Sequence, residues 1–457
     1  MNKVFILLVF VFVTTVGYSQ HSDNHRSQKY DFTLEQAITF ALDSNYTAIN
    51  SRRDIAIAIK KKWETTASGL PQLDANISYN NNLKQPVTLL PGEITGGAPG
   101  TFVPVTFGTK ENASATATLN QLIFDGSYLV GLQAAKTFLE YSENYDEKVQ
   151  LEVRKGVINA YGSVLLSEEL VSIFELNKSN LEKNLIETRA IYENGFTEEE
   201  SVEQLEITLL NIVTQLKNSR RTLLIAQQML NLAIGIDVES DVTLLDNLDN
   251  LTQDNINLGF LEENINIEDN IDYKIATNFT EQKDLEVKLE KSYAIPNLSA
   301  FINYGTTANS EAFTFLDSEQ VWYQSSMLGF SMNIPIVSSG MRSARTQQAK
   351  IALDQAETQL TETYQMILLE INTAKNNYRF AIENYNDNKK NLELSERVEK
   401  KNQVKFVEGL ATSFDLRLAQ IQLYTAQQTY FESMLRVITT KVDLETVLNT
   451  PQLRNNN

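Results

Sequence analysis

The sequence predicts a mainly α-helical fold with a small β part, built as a tandem duplication of long antiparallel coiled-coil hairpins and short strands. Three observations carry this. Two very long stretches, 105–295 and 336–450, contain no proline. The chain resembles itself at an offset of 225 residues that later falls to 214. Apolar residues follow a seven-residue repeat in the proline-free stretches and alternate in four shorter segments.

The first element is an export signal. Lys3 gives a cationic start, Val4 to Val13 is an unbroken apolar run, and Gly17 and Ser19 flank a cut before Gln20. This assigns 1–19 to a cleaved signal peptide. The run is about half the length of a membrane-spanning helix, which needs about 20 apolar residues. No other segment reaches that length, so an exported chain of this kind is either soluble or crosses a membrane as a closed β-barrel. It has no cysteine, which excludes disulfides and a lipid on an N-terminal cysteine.

The repeats follow. Leu70-Pro71-Gln72-Leu73-Asp74-Ala75-Asn76-Ile77-Ser78-Tyr79 aligns with Ile295-Pro296-Asn297-Leu298-Ser299-Ala300-Phe301-Ile302-Asn303-Tyr304, and Asn45 falls on Asn270. Tyr192-Glu193-Asn194-Gly195 aligns with Phe406-Val407-Glu408-Gly409. The offset shrinks because the first half has the longer loop between its strands. Settling the repeat first divides the chain into a first repeat at 20–235, a linker at 236–270, a second repeat at 271–450 and a polar tail at 451–457. The loop from Lys84 to Glu111, rich in proline and glycine, is expected to be irregular and surface-exposed. The Asp- and Asn-rich linker is expected to pack short pieces around the outside.

Within each repeat, proline absence permits one helix of about 100 Å, from Ser127 to Asn194 and from Met341 to Glu408. Gly195 and Gly409 are the residues at which each hairpin reverses, because glycine tolerates the left-handed cap. The returning helices carry heptad seams at Val202, Leu205, Leu209, Ile212, Leu216, Ser219, Leu223, Ala226, Leu230 and Ala233, and at Leu416, Ala419, Leu423, Ala426, Tyr430, Ser433, Val437, Thr440, Leu444 and Val447. Leu210, Val213, Ile225 and Leu232 widen the stripe, as expected of a helix packed against two neighbours in a wall. The strands are read at Gln72–Tyr79, Asn112–Phe124, Asn297–Tyr304 and Trp322–Ile334, four alternating segments of the kind that build membrane barrels. Trp322 and Tyr323 suit an aromatic girdle.

The chemistry inventory excludes most enzymes. The only histidines, His21 and His25, follow the expected cut, so the common His-based nucleophile pairs and zinc sites are absent from the folded region. No phosphate loop appears, and no cofactor or metal site is expected. A net charge of −19 disfavours phosphate backbones, so no nucleic acid is expected as a partner.

These motifs, in this order, resemble the TolC family of outer-membrane efflux proteins. Thr33-Leu34-Glu35-Gln36-Ala37-Ile38 is similar to the family's first helix, Leu70-Pro71 and Ile295-Pro296 to its helix-to-strand turns, Leu122-Ile123-Phe124-Asp125-Gly126 and Ile334-Pro335-Ile336-Val337 to its strand-to-helix turns, and the two Gly-terminated motifs to its hairpin tips. The resemblance implies a homotrimer in the cell outer membrane. Each protomer would give four strands to one shared transmembrane β-barrel and its helices to a periplasmic α-barrel. It implies a passive exit duct for efflux or type I secretion, served by a periplasmic adaptor and an inner-membrane pump. It also implies a constriction near the second tip. Asp415 stands at one acidic position of the family's pattern, while Leu418 departs from the second and Phe406 replaces a tyrosine. On the first tip Ser201 stands where an acid would, with Glu198, Glu199 and Glu200 beside it. Asp415 has a second reading as a helix-start acid, and the Glu run as a solvated face. The other classes compatible with the sequence are a periplasmic adaptor and a structural coiled-coil protein of the envelope.

Overall fold

The computed structural model describes residues 29–262 and 266–450. The expected signal peptide, both histidines and the tail at 451–457 lie outside the described residues. In chain order the elements are β1 (Lys29–Phe32), α1 (Leu34–Ser44), α2 (Tyr46–Ser68), β2 (Gln72–Asn81), β3 (Val87–Pro91), β4 (Phe102–Thr106), β5 (Glu111–Phe124), α3 (Gly126–Glu193), α4 (Glu199–Ile234), β6 (Asp241–Leu244), α5 (Leu248–Asp254), α6 (Ile271–Ser292), β7 (Asn297–Ser310), β8 (Tyr323–Asn333), α7 (Met341–Val407) and α8 (Ser413–Val447). The duplication is visible in this list, since α2-β2-β5-α3-α4 is repeated by α6-β7-β8-α7-α8.

The long helices span 68 residues in α3 and 67 in α7, about 100 Å each. Asp125 caps α3 by accepting hydrogen bonds from the Ser127 and Tyr128 amides. Both tips close in the same way. Gly195 and Gly409 take φ of +79° and +71°. The next residue's amide reaches back five positions, Phe196 to Ile191 at 3.1 Å and Leu410 to Lys405 at 2.7 Å. Each glycine amide donates to the carbonyl three residues before it. This pair of bonds satisfies carbonyls that the helix end would otherwise leave unpaired.

The heptad seams are the packed surfaces. Val202, Leu205, Ile212, Leu216, Ser219, Ala226 and Leu230 are buried on α4, as are Leu416, Ala419, Ala426, Ser433, Val437, Thr440 and Leu444 on α8. The main core lies at mid-height, where Val149, Val157, Tyr161 and Val164 of α3 meet Leu230, Ile234, Tyr378, Val437, Ile438 and Leu444. Of the described helices, α3 alone is long and apolar enough over 18 residues to cross a membrane, and 44% of that window is already buried within the chain.

Two asparagines join the halves of each repeat. The Asn45 side-chain Oδ1 caps α2 by accepting from the Thr47 and Ala48 amides, while its Nδ2 donates to the carbonyl oxygen of Ala233 at the end of α4, 2.8 Å away. Asn270 does the same for α6, with Nδ2 2.8 Å from the carbonyl oxygen of Val447 at the end of α8. One side chain thus satisfies both a helix N-terminus and a helix C-terminus. Around this level the linker holds β6, α5 and two short 3₁₀ turns. β6 pairs in parallel with β1, a pairing the sequence did not suggest. Tyr161 anchors the pair, its hydroxyl 3.0 Å from the carbonyl oxygen of Phe32 and 2.9 Å from Asp246, and burial together with that carboxylate pushes the phenol above its ordinary value.

One expectation is corrected. The loop 84–111 is not irregular: β3 and β4 form an antiparallel hairpin, Val87 to Thr106 through Pro91 to Phe102, closed by a 3₁₀ turn at Gly92–Thr95. Most of the prolines and glycines that read as an irregular loop serve its ends and turn. Pro91 and Pro104 sit in a two-stranded ribbon, where a missing amide costs little.

Candidate functional site

Two surfaces can act. The first is the antiparallel sheet β2-β5-β7-β8 at one end of the long helices. Pro71 and Pro296 stand immediately before β2 and β7 and end the helices that precede them. Register and alternation give the sheet two chemically opposite faces. Leu73, Ile77 and Tyr79 of β2 align across the sheet with Leu119, Ala115 and Ala113 of β5, then with Ile302, Thr306 and Ala308 of β7, and Ile302 lies opposite Leu328 of β8. Phe330 and Met332 extend this face. Its larger side chains are exposed, Ile77 at 83% and Phe330 at 70%. The opposite face is polar, with Asp74, Asn76, Ser78 and Asn80 against Thr118, Thr116, Ser114 and Asn112. Phe301, which interrupts the alternation in the sequence, points to this polar face and packs over Gly329, where an added Cβ would lie 2.4 Å from its ring. Both edge strands, β2 and β8, lack a partner on one side among the described residues.

The second surface is the pair of hairpin tips, at the far ends of α3 and α7. They enclose a groove of about 970 Å³ lined by Phe196, Thr197, Glu198, Glu200, Ser201, Phe406, Thr412, Ser413 and Phe414. The groove therefore brings together Phe406, Gly409, Glu198, Glu200 and Ser201 of the expected residues, and not Gly195, Glu199, Asp415 or Leu418. Ser201 is buried and links the hairpins: Thr197 lies 3.2 Å from its hydroxyl, which lies 3.1 Å from that of Ser413. Glu199 and Glu200 occupy the first turn of α4, where the helix dipole favours them, and Glu200 accepts from Gln204.

Asp415 sits in the first turn of α8, fully exposed, and closes a capping box with Thr412. The Thr412 hydroxyl lies 2.6 Å from its carboxylate, the Thr412 amide donates to the same oxygen over 3.1 Å, and the Asp415 amide donates to that hydroxyl over 3.2 Å. These hydrogen bonds hold its carboxyl below the ordinary aspartate value, with Lys405 adding to the effect. Leu418, one turn on, is exposed. The residues missed in sequence are Thr412, Ser413 and Thr197. Thr412 was legible, since Thr412-Ser-Phe-Asp415 has the spacing of a capping box. The serine–threonine chain across the tips was not, because its members lie 212 positions apart.

The arrangement matches known proteins. Residues 281–450 match the family model described as outer membrane efflux protein. No curated protein sequence matches the chain. Among solved structures, that of CusC, described as a protein forming a transmembrane channel, is similar at a TM-score of 0.72 and 16% identity, over 91% of each chain. The outer membrane protein VceC of Vibrio cholerae is similar at 0.70 and 16%, over 91% of this chain and 95% of its own. The CmeC outer membrane channel of Campylobacter jejuni is similar at 0.70 and 15%, over 91% of this chain and 85% of its own. The second repeat thus matches an outer membrane efflux protein domain, and the described residues as a whole share the fold of solved outer-membrane channels.

Proposed function

We propose that the chain is the outer-membrane exit duct of a tripartite efflux or type I secretion assembly, through which substrates pass without chemistry. The two-faced sheet carries this reading. An exposed apolar face suits lipid and a polar face suits a water-filled lumen. Open sheet edges are not viable in a bilayer, so β2 and β8 must pair with further strands. Three copies in a ring would close a barrel of twelve antiparallel strands, within the size range of membrane barrels. The same closure would cover Leu210, Ile225 and Leu232, apolar residues beside the α4 seam that are exposed in the single chain.

The hairpin tips would then narrow the periplasmic end. Asp415 and Leu418, one helical turn apart, would ring the axis together with Phe406, and the tip acids Glu198, Glu199 and Glu200 beside Ser201 would add negative potential that favours cations. A periplasmic adaptor would dock at this end, and an inner-membrane pump would supply energy. Signal-peptide cleavage before Gln20 would release the chain for insertion.

The test is imaging of single particles purified from membranes in mild detergent, combined with conductance in planar bilayers. Threefold particles with a short barrel at one end and a helical cylinder of about 100 Å support the reading. Monomeric rods that need no detergent would overturn it and favour an adaptor or a structural coiled coil. In the bilayer, Asp415→Asn should reduce cation preference; an unchanged reversal potential would remove Asp415 from the constriction.

A further inference from the structure

At the sheet's outer end, beyond the last apolar row, three strands place Asn81, Glu111 and Ser310 side by side. They lie on the apolar face, two residues on from Tyr79, Ala113 and Ala308. The segment after β7 folds back over them. Phe315 covers Ala113 and Ala308, and its ring packs against Tyr79, Phe313 and Trp322 at 5.8, 5.7 and 6.3 Å. Glu111 is left 6% exposed beneath this roof.

Its carboxylate is half satisfied. Oε1 accepts from the Asn81 amide at 3.2 Å, whereas Oε2 has no hydrogen-bond partner among the described residues. Among the described residues no ion pair reaches Glu111, and isolated buried carboxylates are among the costliest groups a fold can hold. Its neighbours supply neutral side-chain oxygens. The Thr314 hydroxyl can donate to Gln320 Oε1, and it lies 2.9 Å from the Ser310 hydroxyl, which accepts from the Ala312 amide over 3.3 Å. The covering segment adds Glu311, Asp317 and Glu319, and no lysine or arginine occurs between Lys291 and Arg342. Buried negative charge, neutral oxygens and an acidic rim are what a hard divalent cation binds.

We propose that Glu111, with the side-chain oxygens of Ser310, Thr314 and Gln320, forms a calcium site that locks the segment between β7 and β8 onto the outer end of the sheet. The cation would engage Oε2 and the neutral oxygens, and water would complete the six to eight ligands calcium takes. With one carboxylate, half-saturation should fall at about 10⁻⁴–10⁻³ M, the range of extracellular calcium modules. Magnesium, which demands near-octahedral geometry and sheds water reluctantly, should compete poorly. The site does not depend on the chain being an efflux duct, so the two proposals can fail separately.

The experiment uses the full mature protein in detergent after chelator treatment. Terbium(III) serves as the oxygen-seeking probe and Trp322 as its antenna. Tryptophan-excited terbium luminescence should appear, be displaced by calcium, and be lost in Glu111→Gln. Calcium should raise the melting temperature of the wild type and leave that of Glu111→Gln unmoved. In chelator, Glu111→Gln should melt no lower than the wild type, because it removes an unpaired buried charge. Trp322→Phe should lose luminescence yet keep the calcium-dependent melt, which separates antenna from ligand. Should Glu111→Gln not yield folded protein, Thr314→Val, which removes one neutral oxygen, should shift calcium half-saturation upward. A wild-type melt that ignores calcium, or luminescence equal in wild type and Glu111→Gln, would overturn the site. In the first case water alone fills the gap, and in the second the probe binds other acids.

Discussion

Single residues set the joints of this molecule. Asn45 and Asn270 each cap one helix with an oxygen and hold the end of another with a nitrogen, so only an amide serves. Asn270→Asp keeps the cap and puts a carboxylate against the carbonyl oxygen of Val447. It should destabilise the fold by about 1–2 kcal/mol, read as a lower denaturation midpoint, while the same change at an exposed surface asparagine should have little effect. The correspondence of these two asparagines was legible in the sequence, but their second bond was not, because nothing local marks Ala233 or Val447 as a partner. Asp415 offers a pH prediction. Its carboxyl is held low, so the capping energy is present above the ordinary aspartate value and is lost only as pH falls through the lower folded value. Any cation preference owed to Asp415 should therefore be the same at pH 8 and pH 5 in bilayer recordings. A loss across that window would assign the preference to other groups.

At the scale of elements, the long helices were legible almost to the residue, since proline absence, heptad spacing and a terminal glycine each report on local geometry. The strands were legible for the same reason, their alternation being a property of the pleat. The β3–β4 hairpin was not, because its prolines and glycines look the same in a ribbon as in an irregular loop. The β1–β6 pairing was hidden for a different reason: two four-residue strands over 200 positions apart carry no periodicity to detect. Gly329 shows how one element fits another. Its missing side chain admits the Phe301 ring, so Gly329→Leu must displace that ring or bend the sheet. The cost should be about 1–3 kcal/mol, and Phe301→Ala should relieve much of it in the double variant. If the two changes prove simply additive, the contact does not matter in the assembled protein.

For the whole molecule, the sequence revealed the duplication and the order of parts, whereas the tip groove and the Glu111 cluster exist only once segments far apart in the chain are brought together. The chain lacks cysteine, so its orientation can be read with single introduced thiols. A cysteine at Gly97, in the turn between β3 and β4, should react with a membrane-impermeant maleimide on intact cells. A cysteine at Leu418 should react only after the outer membrane is opened. Equal labelling at both sites would reject the proposed orientation.

The Asn staples also have a mechanical meaning. They fasten the ends of α4 and α8 at mid-height, while the tips lie a further 36 and 35 residues away, about 50 Å of helix. Each hairpin is thus a stiff cantilever clamped at one end, with no proline along its length to act as a hinge. A tilt of about 5° at the clamp would carry a tip sideways by about 4 Å, given the rise of an α-helix. Adjustments too small to disturb the packed middle of the molecule are therefore large where the hairpins end.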